Sequence, residues 1–160
     1  MAPALRNKLL AVSAGSAMTL TLALIGGHHG LEGRKYTAYC DVVGVLTVCG
    51  GHTGQDMTPD KRYSDRECDE VLKKDLAPVF AAIESSVKVP IPDSRKAVLA
   101  SFGDNVGIRA MIQSTLVKKL NAGEIQAACD ELRRWIRVGG KEWKGLINRR
   151  EVELELCLKN

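Results

Sequence analysis

The apolar and polar positions divide this chain into a short greasy leader and a longer patterned body. Arg6 and Lys8 precede Leu9 to Ile25, a run of 17 residues without a charge. At about 1.5 Å per residue a helix of that length reaches roughly 25 Å, just short of the hydrocarbon thickness of a bilayer. Ser13, Gly15, Ser16, Thr19 and Thr21 dilute its Leu and Ile content, and each replacement of a leucine by such a residue removes transfer free energy. The positive flank predicts a cytoplasmic N-terminus with the remainder facing out. Three readings follow: a cleaved signal peptide, a permanent anchor, or a segment held weakly enough to leave the membrane. Thr21 to Ile25, ahead of Gly26-Gly27, holds a single alanine and supplies no A-x-A cleavage site. Gly26 to Gly30 reads as a flexible joint, with His28 and His29 as solvated linker residues.

In the body, the composition between Glu32 and Tyr39 suits a short helix, and Gly44 and Gly50-Gly51 bracket Val45 to Val48 as a small hairpin. Thr53 to Tyr63 is polar, contains Pro59 and reads as a loop. Ser64-Asp65-Arg66-Glu67 is a capping-box signature that opens a helix. Cys68, Leu72, Leu76, Val79 and Ile83 then recur at three- and four-residue steps as one apolar stripe, with a kink expected at Pro78. Pro92-Asp93-Ser94 opens a second helix whose inner side is Ala97, Val98, Ala100, Ser101 and Phe102. Thr115 to Leu120 is helical and stops at Asn121-Ala122-Gly123. Glu124 to Ile136 places Ile125, Ala128, Cys129, Leu132, Trp135 and Ile136 on one face. Gly139-Gly140 breaks that helix, and a final one begins near Gly145.

Size and charge narrow the picture. A chain of 160 residues is enough for one domain with its own core. Aromatics make up only 4%, so Leu, Val, Ile and Ala must supply most of that core. A formal charge of +4 is too small to argue for nucleic acid, and none is expected as a partner. It suits a protein that works on an acidic polymer such as the bacterial wall, and fits many soluble proteins equally well. Arg133, Arg134, Arg137, Lys141, Lys144, Arg149 and Arg150 give the C-terminal third a basic face, read either as attraction to anionic wall or as a solvated helix surface.

The cysteines are Cys40, Cys49, Cys68, Cys129 and Cys157. A zinc site built on Cys49, His52 and Cys68, with His28 or His29 as a fourth ligand, lacks a second close-spaced ligand pair. Export favours disulfides, and two bridges drawn from five thiols allow about 15 arrangements. Cys68 faces inward on the striped helix and is a candidate partner for Cys49. Cys129, on the inner side of its helix, is paired with Cys157 near the end of the last one. That leaves Cys40, beside Asp41, as a free thiol or a transient bridge partner. A thiol nucleophile would need a base and an oxyanion site.

The chemistry concentrates between Glu32 and Thr53. Two carboxylates, Glu32 and Asp41, stand nine residues apart, and the hydroxyl of Thr47 follows six later. Opposed carboxyl groups are what glycosidic hydrolysis commonly requires, one as acid on the leaving oxygen and the other as base or charge stabiliser. The pattern Glu32-x8-Asp41-x5-Thr47, with Gly33 after the acid and Gly51-His52-Thr53 closing the hairpin, resembles the phage-type lysozymes. Phe102-x2-Asn105-x-Gly107 is similar to that family's turn between central helices. Gly145-Leu146-Ile147-Asn148-Arg149-Arg150-Glu151 is similar to its G-L-x-x-R-R-x-E ending, with the acid one place early.

The resemblance implies an α+β, lysozyme-like fold, with a small β-hairpin subdomain and a larger helical one flanking a cleft. It implies muramidase activity on peptidoglycan, cleaving the β-1,4 bond between N-acetylmuramic acid and N-acetylglucosamine with inversion. Glu32 would be the general acid in a partly apolar setting, Asp41 the ionised partner, and Thr47 a positioner of water. His52 and Asp75 would form a structural pair, Asp75 lying at the edge of the apolar stripe where a carboxylate needs a partner. Neither a metal nor an organic cofactor is implied, and a monomer is expected.

The leader resembles the signal-anchor-release (SAR) arm of lambdoid phage endolysins. Residues 1–27 would then be that arm and 28–160 the catalytic domain, tethered through residues 9–25 to the host inner membrane and later freed into the periplasm. Residues 1–30 contain no cysteine, which closes activation by disulfide exchange from the arm. The rival readings are a wall-binding or membrane-tethered module without catalysis, and a lytic transglycosylase that tolerates Asp41→Asn.

Overall fold

The computed structural model describes Pro3, Asn7 and residues 15–26, 30–41 and 44–159. The leader run is therefore seen only in its second half, and part of the Gly26–Gly30 joint, including His28 and His29, lies outside the described residues. Helix α1, Ala17–Ile25, starts at Ser16, whose hydroxyl accepts the Thr19 N–H at 3.3 Å. The buried Thr21 hydroxyl donates to the Ala17 carbonyl at 2.7 Å, so the polar group that dilutes the run is satisfied inside the helix. Leu24 and Ile25 are fully buried. Leu24 and Ala23 join the main core, and Ile25 packs with Leu72 and Leu76. Among the described residues no helix is long and apolar enough to cross a membrane. The described half of the leader is part of the protein interior.

The short helix expected from Glu32 to Tyr39 is not formed. Lys35–Cys40 is strand β1, paired antiparallel with β2, Leu46–Cys49, in the register Lys35↔Cys49, Tyr39↔Thr47 and Cys40↔Leu46. Tyr36, Thr37 and Tyr39 prefer extended backbone, and the Lys35 ammonium lies 4.0 Å from the centre of the Tyr39 ring. The apolar run Val45–Val48 thus supplies one strand of the hairpin, and the segment before Asp41 supplies the other.

Helix α2, Asp65–Ser86, opens with the Ser64/Glu67 capping box and buries Cys68, Leu72, Leu76, Val79 and Ile83. It runs on through Pro78. Helix α3, Asp93–Val106, buries Ala97, Val98, Ala100, Ser101 and Phe102 and ends at Gly107. Helices α4, Ile108–Gln113, and α5, Thr115–Asn121, follow.

The single helix expected over Glu124–Ile136 is shorter. Helix α6 spans Ile125–Asp130, a 3-10 turn covers Glu131–Arg134, and Ile136 lies beyond both. Trp135 leaves helical geometry (φ −99°, ψ 53°). Its ring stands edge-on to Phe102 at 5.2 Å, and its carbonyl accepts from Arg150 Nε at 3.1 Å. Gly139-Gly140 does more than break a helix. Both have positive φ, 56° and 81°, and they turn a minimal hairpin of β3, Arg137–Val138, and β4, Lys141–Glu142. Two-residue turns with positive φ at both positions favour glycine.

Helix α7, Lys144–Cys157, closes the helical lobe. Two disulfides tie the lobes internally. Cys49–Cys68 fastens β2 to the first turn of α2, and Cys129–Cys157 joins α6 to the end of α7. Cys49 and Cys68 are consumed by each other, which removes the zinc reading. Cys40 is free and exposed. The architecture is α+β: a hairpin lobe, the long α2, and a helical lobe carrying the main core.

Candidate active site

Glu32 stands where three parts of the chain meet. The Leu31 N–H donates to the Leu24 carbonyl at 2.9 Å, and the Glu32 N–H to that of Ile25 at 3.2 Å, so the end of α1 holds its backbone. Gly50, in the turn after β2, passes its base; a Cβ there would lie 3.8 Å from Glu32 Cβ. From the helical lobe, Arg149 donates to Glu32 Oε1. The carboxyl remains about one-third open, with 34% of the side chain exposed. Its expected partly apolar setting is thus corrected: a guanidinium sits against it.

Arg149 reaches Glu32 from a buried polar network. Its Nε donates to Glu153 Oε1 at 3.1 Å, and its third nitrogen to the Ser101 carbonyl at 2.9 Å. The Ser101 hydroxyl donates to the same Glu153 oxygen at 2.6 Å. Arg150 donates to Glu153 Oε2 and to Asn105 Oδ1. Burial pulls the Arg149 pKa down, and Glu153 opposes the shift; an arginine nonetheless stays cationic through the physiological range. Among the described residues no buried side-chain nitrogen or oxygen lacks a partner, which is what a buried charge network requires.

This overturns one expectation. Arg149 and Arg150 are not on a basic surface: they are 5% and 1% exposed. Three more of those cations are neutralised, Arg133 by Glu151 at 2.9 Å, Arg134 by Glu131 at 3.0 Å and Arg137 by Glu142 at 3.1 Å. The signal missed in the sequence is Glu153, at three and four residues from the two arginines on the same helix.

Asp41 and Thr47 lie at the other end of the hairpin. Asp41 Oδ1 accepts the Val45 N–H at 2.8 Å, and the Asp41 and Val45 backbones are joined by a further bond of 2.9 Å. The carboxylate is fixed by the turn it closes. Thr47 is buried, opposite Tyr39, and its hydroxyl donates to the Val45 carbonyl at 3.0 Å. Asp41 and Thr47 are therefore brought together through Val45, whereas Glu32 is held by α1 and α7 near the opposite end of β2.

His52 and Asp75 are in contact, with His52 Nδ1 at 2.8 Å from Asp75 Oδ2. A second carboxylate, Asp56, which sequence reasoning did not single out, lies 3.1 Å from Nε2. Burial alone would lower the imidazole pKa; the bonds to Asp75 and Asp56 outweigh it, and the net shift is upward. A further acid on α3, Asp104, is pushed up to about 6 by burial, with the negative charges of Asp75 and Glu153 adding to the effect.

A hairpin lobe and a helical lobe meeting at a glutamate, with an aspartate in the hairpin turn, define a lysozyme-type glycoside hydrolase. Comparisons with known proteins agree. Residues 29–153 match the family model described as phage lysozyme. A SAR-endolysin of Bacteriophage PS119 is 51% identical over 161 aligned positions, covering 99% of this chain and 96% of the relative. Among solved structures, a point mutant of P22 lysozyme superposes with a TM-score of 0.74 at 33% identity, covering 80% of this chain and 90% of that one. The muramidase domain of SpmX from Asticaccaulis excentricus gives 0.76 at 26% identity, over 90% of this chain and 95% of that one. This chain belongs to the phage lysozyme family, and its near full-length likeness to phage endolysins makes it an endolysin of host lysis.

Proposed function

We propose that the chain hydrolyses the β-1,4 bond between N-acetylmuramic acid and N-acetylglucosamine in peptidoglycan, acting as a monomer. Glu32 donates a proton to the leaving glycosidic oxygen. Asp41, ionised, assists water on the opposite face of the sugar ring, and the Thr47 hydroxyl positions that water, giving inversion of the anomeric centre. Inverting hydrolases leave about 6.5–9.5 Å between their carboxyl groups, against about 5–5.5 Å in retaining ones. The His52–Asp75 pair holds the hairpin on α2 and takes no part in bond cleavage. The observation that carries this reading is the partly open Glu32 carboxyl, gripped by Arg149 between the two lobes.

Residues 1–27 act as a releasable arm and 28–160 as the catalytic domain. Residues 9–25 first tether the chain to the inner membrane, facing the periplasm. On release the arm folds into the protein as α1, and its end supplies the two carbonyls that hold Leu31 and Glu32. The PS119 relative is named a SAR-endolysin, which supports this part of the reading.

Turbidity clearing of purified bacterial wall tests it. Wild type should clear the suspension, and Glu32→Gln should lose that activity by several orders of magnitude. A Glu32→Gln chain that clears walls as fast as wild type sinks the assignment. Asp41→Asn separates the reactions: full activity with 1,6-anhydro products would identify a lytic transglycosylase instead.

A further inference from the structure

The β3–β4 hairpin presents an unpartnered face. Val138 pairs directly with Lys141 across the turn, so their side chains share a side of the ribbon. Trp143 follows two residues later in extended backbone (φ −115°, ψ 123°) and falls on that same side. Arg137 and Glu142 occupy the other side and neutralise each other. Val138 and Trp143 are the most exposed large hydrophobic residues described, at 56% and 58%.

Charge sharpens the pattern. Of the seven C-terminal cations, the five arginines have carboxylate partners. Lys141 and Lys144 have none among the described residues, and both are exposed. They flank Trp143. An exposed indole with unneutralised lysines on either side of it in the sequence matches a ligand that combines apolar ring faces with carboxylates. Its position fits the site as well. Trp143 stands at the N-terminus of α7, and Arg149, which grips Glu32, lies six residues on, about 9 Å along the helix. The Trp143 N–H donates to the Ile136 carbonyl at 2.9 Å, which fixes the base of the platform.

We infer that Val138, Lys141, Trp143 and Lys144 form a docking platform for the peptidoglycan strand beside the cleft, with Trp143 under a sugar ring and the two lysines on peptide-stem carboxylates. This rests on the reading of the cleft as a peptidoglycan hydrolase. The platform binds and orients the polymer and moves no proton.

The test uses the full chain. In a Glu32→Gln background, binding to purified walls is measured by sedimentation, with and without Trp143→Ala or Trp143→Phe. Trp143→Ala should weaken binding about tenfold, and Trp143→Phe should retain most of it. Lys141→Ala with Lys144→Ala should flatten the salt dependence. In the active chain, Trp143→Ala should raise KM on walls about tenfold with kcat within about twofold, the signature of uniform binding. Unchanged sedimentation and KM in Trp143→Ala overturn the platform while leaving the hydrolase reading intact. Trp143-dependent capture by anionic phospholipid vesicles, with wall binding unaffected, also overturns it. Wild type that binds walls through Trp143 but never clears them would defeat the hydrolase reading instead.

Discussion

The Glu32 N–H donates to the carbonyl of Ile25, so the last residue of the apolar arm and the candidate acid are joined backbone to backbone. Ile25 is fully buried against Leu72 and Leu76. Whatever moves the arm must move the acid's main chain with it.

Loosening α1 should therefore cost activity along with stability. Leu24→Ala removes a fully buried side chain from the main core and should destabilise by about 2–5 kcal/mol, read as a shift in denaturant midpoint. Gly26→Val should do so more locally, because a Cβ at Gly26 already meets the Arg34 guanidinium at 2.9 Å. A chain lacking residues 1–26 should clear walls poorly. Full activity from it would remove any activating role for the arm.

Arg149 ties the acid to the helical lobe, and its loss should be felt twice. Arg149→Ala deprives Glu153, which is fully buried, of one of its two arginines. Breaking a buried pair costs about 3–5 kcal/mol. Urea unfolding should show that loss, and wall clearing by the surviving folded fraction should fall because Glu32 is no longer held. Arg149→Lys keeps the charge but not the planar fork, and should recover only part of both.

The His52 clamp should make stability depend on pH in a definite direction. The folded-state pKa lies above the unfolded value of about 6.5. Its contribution is therefore fully present below about 6.5 and is lost as pH rises through the folded value. Asp75→Asn should cost about 1 kcal/mol at pH 5.5 and less at pH 9, read from paired denaturant curves. An equal cost at both pH values would mean that the imidazolium contributes nothing.

Asp104 should act in the same direction, over a lower pH range. Its folded pKa of about 6 lies above the ordinary aspartate value, so the folded state binds the extra proton between the two. Its own contribution to stability falls as pH rises from about 4 through 6 and is constant beyond. Asp104→Asn should stabilise the chain by about 2 kcal/mol at pH 8, with the curves converging near pH 4. Thermal unfolding across that range reads the difference.

What is legible in the sequence rests on local rules. The capping box and the five-residue stripe of α2 depend on spacing within one helix; the inward faces of Cys68 and Cys129 suggest the two disulfide pairs, and the fold selects them from about 15 arrangements. Segment 32–39 reads as helix in isolation because a six-residue strand with one irregular pairing carries little periodicity of its own; its partner across the turn decides it. Arg149 and Arg150 mislead for a related reason. Charge alone looks like surface, and only their shared contact with Glu153, beneath Ser101 and Asn105, marks them as interior. Glu32, Asp41 and Thr47 stand out in the sequence as a spaced triplet, whereas the guanidinium that holds the first of them does not.

The partner that grips Glu32 comes 117 residues later in the chain. During synthesis the first residues leave the ribosome long before α7 exists, so a nascent chain has no Arg149 to offer. Contacts of such separation form late, after the intervening loop has been closed. Any chain that stops short of Arg149 therefore lacks the cation that holds its acid.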